Sequence, residues 1–85
     1  MKVYFTKKFW KQYYKLSKSA QVRFGERIKI LLNEPESSII KLHPLKGKYV
    51  GYWSISVTGD IRALYRADST TNITFTHIGT HSQLY

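Results

Sequence analysis

Hydrophobic residues recur at helical spacing in the first third of the chain. A short apolar run at residues 3–5 predicts a first strand, and Thr6 is a suitable N-cap for the segment that follows. The apolar stripe after it predicts an amphipathic helix through Ser17. Ser19 is predicted to cap a second helix that contains Gly25, whose presence inside a helix suggests close helix packing. Two helices joined so closely predict an antiparallel hairpin.

The second half of the chain changes to a strand-like pattern. Residues 36–45 have no clear period, and Pro44 favours extended backbone before it, so this segment is predicted to be a connecting loop. Residues 49–57 show the alternation of a strand and are rich in aromatic and β-branched side chains. The same pattern resumes after short turns, so two more strands are predicted at residues 61–67 and 72–78. The predicted class is α+β: an N-terminal strand, a helical hairpin, and a three-stranded antiparallel meander with the helices packed on one face.

Length and composition narrow the class of protein further. The 85 residues correspond to one domain, residues 1–85, with a small core. Cysteine is absent, which excludes a disulfide framework and thiolate metal sites. No apolar run is long enough for a signal peptide or a membrane span, so we expect a cytoplasmic protein without a membrane partner.

The charge of the chain indicates a polyanionic partner. There are 14 Lys and Arg against 5 Asp and Glu, a formal net charge of +9 spread over every segment. A basic surface can simply keep a small protein soluble, but this value lies just above the usual range of about +2 to +8. Nucleic acid is the leading candidate for this partner, and an acidic protein would also be attracted by the positive charge.

The C-terminal tail carries candidate chemistry. The final predicted strand ends at Ile78, and Gly79 is expected to turn His81 and Tyr85 toward the surface. An imidazole exchanges protons near neutral pH, so a surface histidine in a basic protein suggests RNA chemistry. An exposed histidine without a role is the alternative interpretation.

Four short motifs resemble the RelE/ParE superfamily of toxins, and within it the YafQ-type branch. The likeness extends over the whole chain, and its most specific parts are the first and last motifs. In order, they are His43-Pro44-Leu45-Lys46-Gly47, Gly51-Tyr52, Gly59-Asp60-Ile61-Arg62-Ala63-Leu64-Tyr65, and Gly79-Thr80-His81-Ser82-Gln83-Leu84-Tyr85.

The resemblance implies a fold, an activity and partners. It implies a small RelE-like fold and a ribosome-dependent endonuclease that cuts messenger RNA in the A site without a cofactor. It also implies neutralisation by a cognate acidic antitoxin protein, in a toxin-antitoxin hetero-oligomer. The RNA partners would be messenger RNA and the ribosome.

Metal-free RNA cleavage requires a base for the 2′-hydroxyl, an acid for the leaving 5′-oxygen, and cations for the charge that develops on phosphorus. His81 is the best single candidate for the acid or the base. His43 matches the loop histidine of the family, where it would act as a second proton carrier or a phosphate contact. Alternatively, His43 only orders the loop beside Pro44.

Three further residues match positions that the resemblance makes catalytic. Asp60 would serve as a base or hold a histidine in the right tautomer, although a turn aspartate is common for local hydrogen bonding alone. Arg62 would place a guanidinium on the scissile phosphate. Tyr85 would stack on a base or orient the attacking oxygen, or else only close the end of the sheet.

Other positions carry weaker expectations. Lys46, Lys48 and Arg66 are predicted RNA contacts, with a merely solvated surface as the alternative. Ser56 departs from the family pattern, which has a histidine there, and a serine cannot take up a proton at neutral pH. His77 lies in the last strand and is expected to be structural.

Three other functions are weighed against this one. A metal-dependent hydrolase is disfavoured because no close pair of ligands occurs at helical spacing, so we expect no metal. The main alternative is a ParE-like toxin that binds DNA gyrase without nuclease activity, which would have no need of His43, Asp60 and His81. A third is a degenerate RNA-binding protein without catalysis.

Overall fold

One five-stranded sheet with its two main helices on one face makes up the computed structural model, which describes residues 1–85. The strands are β1 (Lys2–Phe5), β2 (His43–Pro44), β3 (Tyr52–Ser56), β4 (Ile61–Ala67) and β5 (Asn72–Thr80). The helices are α1 (Lys7–Tyr13), α2 (Lys18–Asn33) and α3 (His81–Leu84), and a short 3-10 helix covers Gly47–Tyr49.

The strand order is β1-β5-β4-β3-β2. Strands β3, β4 and β5 form the predicted antiparallel meander. Strand β1 joins its edge by pairing with β5 in parallel, and the intervening helices provide the crossover that a parallel pair needs. The small α+β architecture expected from the sequence is therefore confirmed, with one further edge strand, β2, paired to β3.

The main core lies between the helices and one face of the sheet. Aromatic rings dominate it: the Phe24 ring lies 5.2 Å from both Phe9 and Phe75, edge-on to the latter. Such pairs add to the stabilisation from burial. The core residues are Phe9, Phe24, Leu31, Ile40, Ile55, Val57, Ala63, Tyr65, Ile73, Phe75 and Ile78.

Both main helices begin at a capping hydroxyl. The Thr6 Oγ1 accepts a hydrogen bond from the Phe9 backbone N–H at 3.1 Å, as predicted. The second cap is Ser17, whose Oγ accepts from Ala20, so the prediction of Ser19 as this cap was wrong. Helix α1 also ends earlier than expected, at Tyr13, and the Gln21 side chain from α2 donates to the carbonyls of Tyr13 and Leu16.

Helix α2 contains a glycine that packing does not explain. A Cβ added at Gly25 would meet no atom within 4 Å, and the residue is exposed, so the expected close helix contact is absent. None of the helices is long and apolar enough to cross a bilayer.

The segment before β3 is more ordered than predicted. The expected loop contains β2, and the strand expected from residue 49 begins only at Tyr52, after the 3-10 helix. Gly47 (φ 65°), the first residue of that helix, and Gly51 (φ 92°), just after it, have positive φ angles, which other residues adopt at a cost. These two glycines of the sequence motifs set the path of the chain into β3.

Candidate functional site

The face of the sheet away from the core carries a row of chemically distinct side chains. Ser54 lies opposite His43 on one side and Leu64 on the other, and Leu64 lies opposite His77. Leu64 is fully buried but lies outside the main core, as expected for a residue on the opposite face. The sheet therefore supports a second, polar surface.

Helix α3 folds the C-terminal tail back over this surface. Strand β5 continues through Gly79 to Thr80. The prediction that this glycine turns the tail outward was therefore wrong. Instead, the Thr80 hydroxyl and the Gln83 side chain form a capping box that starts α3 at once. The absence of a side chain at Gly79 lets Gln83 approach, since an added Cβ would lie 2.9 Å from its Oε1.

Contacts with the rest of the chain fix both ends of α3. Leu84 is buried, and its carbonyl accepts a hydrogen bond from the Tyr49 hydroxyl at 2.8 Å. The backbone N–H of His81 donates to the Asp60 carbonyl at 3.1 Å. These contacts place the exposed rings of His81 and Tyr85 side by side, with centroids 4.6 Å apart.

His43 is held by its own loop. Its Nδ1 lies 2.8 Å from the Lys41 carbonyl oxygen, in a turn where Lys41 has φ 47°. A carbonyl can only accept, so Nδ1 carries the proton and a neutral ring presents Nε2 as the free acceptor. The exposed ring therefore offers a lone pair toward the polar face.

Arg62 is braced by the β3–β4 turn. Its Nη1 donates to the carbonyls of Thr58, Gly59 and Ile61 at 3.1, 3.3 and 3.2 Å. No carboxylate pairs with it, since Arg23–Glu26 and Arg66–Asp68 are the two ion pairs of the structure. The Nε and Nη2 groups remain free to bind an anion.

An open cavity of about 320 Å³ brings four of the predicted site residues together. Two histidines, a cation and an aromatic ring share it, and no acidic side chain lines it. The lining residues are His43, Leu45, Ser54, Arg62, His81 and Tyr85. This combination supplies proton carriers and a site for negative charge.

Asp60 stands at the edge of this group. Its backbone carbonyl holds the start of α3, while its exposed carboxylate makes no hydrogen bond or ion pair and does not line the cavity. The structure thus gives its backbone a role in placing His81. The role predicted for its side chain stays a prediction.

The three predicted RNA contacts also lie outside the cavity. Lys46 and Lys48 are exposed around the 3-10 helix, and the Lys48 Nζ is 5.3 Å from the Tyr49 ring centroid. Arg66 is on the same strand face as Arg62, about 13 Å farther along β4. Its Nε donates to Asp68 at 3.0 Å.

Ser54 is the site residue that the sequence analysis missed. Alternation along β3 places it on the same face as Ser56 and away from Ile55, and this signal was available in the sequence. Ser56 faces Arg62 across the strands, and its hydroxyl donates to the Thr58 carbonyl at 3.1 Å. The serine at the position where the resemblance implies a histidine is therefore already hydrogen-bonded.

His77 is half-buried among aromatic rings. Tyr49 and Tyr52 contact its ring edge-on, at centroid distances of 5.5 and 6.3 Å. Burial, followed by the charges of Lys8 and Lys48, lowers the pKa of His77 below its usual value. His77 does not line the cavity.

The chain contains no group of three or more His, Asp or Glu side chains arranged to hold a metal ion.

Comparison with known proteins agrees with this architecture. The family model described as bacterial toxin of type II toxin-antitoxin system, YafQ, matches residues 1–85. No curated protein matches the chain significantly.

Several solved structures are similar over nearly the whole length. The YoeB/ParE toxin from Agrobacterium tumefaciens is 26% identical with a TM-score of 0.78, over 95% of this chain and 99% of that chain. YafQ from E. coli is 22% identical with a TM-score of 0.83, over 98% of this chain and 96% of that chain. YafQ in the E. coli DinJ-YafQ toxin-antitoxin complex is 22% identical with a TM-score of 0.79, over 98% of this chain and 94% of that chain. The chain belongs to the YafQ family of bacterial toxins of type II toxin-antitoxin systems.

Proposed function

We propose that this toxin is a ribosome-dependent endoribonuclease that cleaves messenger RNA and stops translation in the cytoplasm. The supporting observation is the cavity in which His43, Arg62, His81 and Tyr85 meet without an acidic side chain. A toxin that acted only by binding gyrase would not need two histidines beside an unpaired arginine. The family assignment supports the toxin role and leaves the nuclease step as our proposal.

In the proposed reaction, the two histidines move the protons. His43 Nε2 takes the proton of the ribose 2′-hydroxyl, since its Nδ1 is engaged with the Lys41 carbonyl. The 2′-oxygen attacks phosphorus while the bond to the 5′-oxygen breaks, and protonated His81 gives a proton to that oxygen. The products are a 2′,3′-cyclic phosphate and a 5′-hydroxyl, and no metal takes part.

The remaining residues stabilise charge and place the substrate. Arg62 faces the anionic phosphate oxygens with its free Nε and Nη2, and Tyr85 stacks on a base beside His81. Lys46, Lys48 and Arg66 bind phosphates outside the cavity. Asp60 accepts a hydrogen bond from a histidine once RNA is bound.

The test is cleavage of a defined messenger RNA by the purified protein, with and without programmed ribosomes, followed by mapping of both new ends. We expect cuts only with ribosomes, 5′-hydroxyl ends, and no loss of activity in EDTA. Loss of cleavage in EDTA with intact ribosomes would contradict the metal-free mechanism. Intact RNA together with inhibited gyrase supercoiling would favour the ParE-like alternative.

A partner protein follows from the same charge distribution. Of the 14 Lys and Arg, only Arg23 and Arg66 pair with a carboxylate, so most of the basic surface is free for an acidic chain. The DinJ-YafQ complex shows a toxin of this fold with its antitoxin. We propose an acidic antitoxin, encoded beside this gene, that covers the cavity in a hetero-oligomer.

A further inference from the structure

The Ser54 hydroxyl is buried without a hydrogen-bond partner. The residue is buried, and its Oγ is the one buried side-chain polar atom of the chain that lacks a partner. Almost all buried polar groups in proteins are hydrogen-bonded, because desolvating one without compensation is unfavourable. The Ser54 hydroxyl is therefore an unused donor, and a molecule that enters beside it could satisfy that donor.

The location of Ser54 identifies where that partner binds. Ser54 lies between His43 and Leu64 in the sheet and lines the cavity that Arg62 and His81 share. The volume of about 320 Å³ far exceeds the roughly 30 Å³ that one water occupies in the liquid. The cavity therefore has room for a phosphodiester group.

The charges around the cavity identify the chemistry of the partner. Arg62 has no carboxylate partner, no acidic side chain lines the cavity, and the Ser54 O–H is a free donor. We propose that Ser54 donates a hydrogen bond to a non-bridging oxygen of a nucleic-acid phosphate held in the cavity by Arg62. This inference rests on the proposed function and adds a binding residue to it.

The test compares Ser54→Ala with Ser56→Ala, a matched control on the same strand and the same face. The Ser56 hydroxyl has its partner inside the chain, the Thr58 carbonyl at 3.1 Å. Fluorescence anisotropy measures the affinity of each full-length variant for a labelled single-stranded RNA and for DNA of the same sequence, at one fixed salt concentration. Thermal unfolding measures stability.

We expect Ser54→Ala to bind both RNA and DNA about tenfold more weakly, because a hydrogen bond to a charged group is lost and both polymers carry the phosphate. Its Tm should equal or exceed that of the wild type, since no internal hydrogen bond is removed. Ser56→Ala should keep wild-type affinity and lose some stability.

Four results would overturn the inference. Equal affinity of Ser54→Ala and wild type, or failure of the wild type to bind either oligonucleotide, would remove the phosphate contact. A loss confined to RNA would assign the hydroxyl to the ribose instead. A lower Tm for Ser54→Ala than for Ser56→Ala would show an internal partner. Failure of the proposed function is detected separately, by the cleavage assay on ribosomes.

Discussion

At the scale of single residues, His77 links the polar face to the stability of the fold. Its pKa is lowered by burial and by Lys8 and Lys48, so the folded chain binds a proton there less readily than the unfolded chain does. Above the ordinary histidine pKa of 6.5, both states are neutral and stability is unaffected. As the pH falls below that value, the unfolded state takes up the proton first and stability is lost.

Because stability is lost as the pH falls, the Tm of the protein should depend on pH. We expect the Tm of the wild type to fall as the pH is lowered from about 7.5 to 5.5. His77→Gln removes the titrating group and should flatten that dependence, whatever its effect at high pH. Differential scanning fluorimetry over this range measures both slopes, and an unchanged slope in the variant would contradict the assignment.

At the scale of elements, α3 is the feature that makes the site. It begins with His81 and is followed by Tyr85, and its capping box depends on the close approach of Gln83 to Gly79. We predict that Gly79→Ala displaces Gln83, costs about 1 kcal/mol of stability through the lost capping bond, and lowers cleavage because α3 shifts. Thermal unfolding and the ribosome cleavage assay measure the two effects.

Gly25→Ala is the matched control for that substitution. Gly25 is an exposed helical glycine with nothing within 4 Å of an added Cβ. Alanine should therefore stabilise the chain by about 0.5–1 kcal/mol and leave cleavage unchanged. A Gly79→Ala variant as stable and active as Gly25→Ala would show that α3 does not need the glycine.

The elements also show what the sequence could predict. The meander and the two main helices follow from periodicity, which long segments display clearly. Helix α3 was missed although Thr80 and Gln83 form a recognisable capping pattern, because four residues are too few to show a period. Strand β2 was missed because two residues carry no alternation, and their pairing with β3 is set by tertiary contacts.

The same limits apply to the candidate site. The motifs pointed to His43, Arg62, His81 and Tyr85, which the fold gathers around one cavity. They did not single out Ser54, because alternation gives only the face on which it lies, and the strand register is needed to show that it is opposite His43. They also could not separate the side chain of Asp60 from its backbone, whose carbonyl holds α3.

At the scale of the whole molecule, the net charge of +9 predicts salt-sensitive RNA binding. Four proposed phosphate contacts, at Lys46, Lys48, Arg62 and Arg66, correspond to a slope of about −3 for log K against log salt concentration with single-stranded RNA. We expect Lys46→Ala to reduce the magnitude of that slope by about 0.7. Titrations at several salt concentrations measure it.

Lys29→Ala is the control for the charge prediction. Lys29 is equally exposed but lies on α2, on the side of the sheet away from the cavity. Its removal should lower the net charge by the same amount while leaving the slope nearly unchanged. Equal effects of the two substitutions would mean that RNA is attracted by the overall charge and not bound at the polar face.

The most direct test of the nuclease site is the single-turnover cleavage rate of His81→Ala on programmed ribosomes, with His77→Gln as a second histidine variant that lies outside the cavity. Loss of a general acid typically lowers a rate by about 10²–10⁴-fold. We predict a loss in this range for His81→Ala, with a native Tm because the side chain is exposed, and a near wild-type rate for His77→Gln. A His81→Ala variant that cleaves at the wild-type rate would contradict the account.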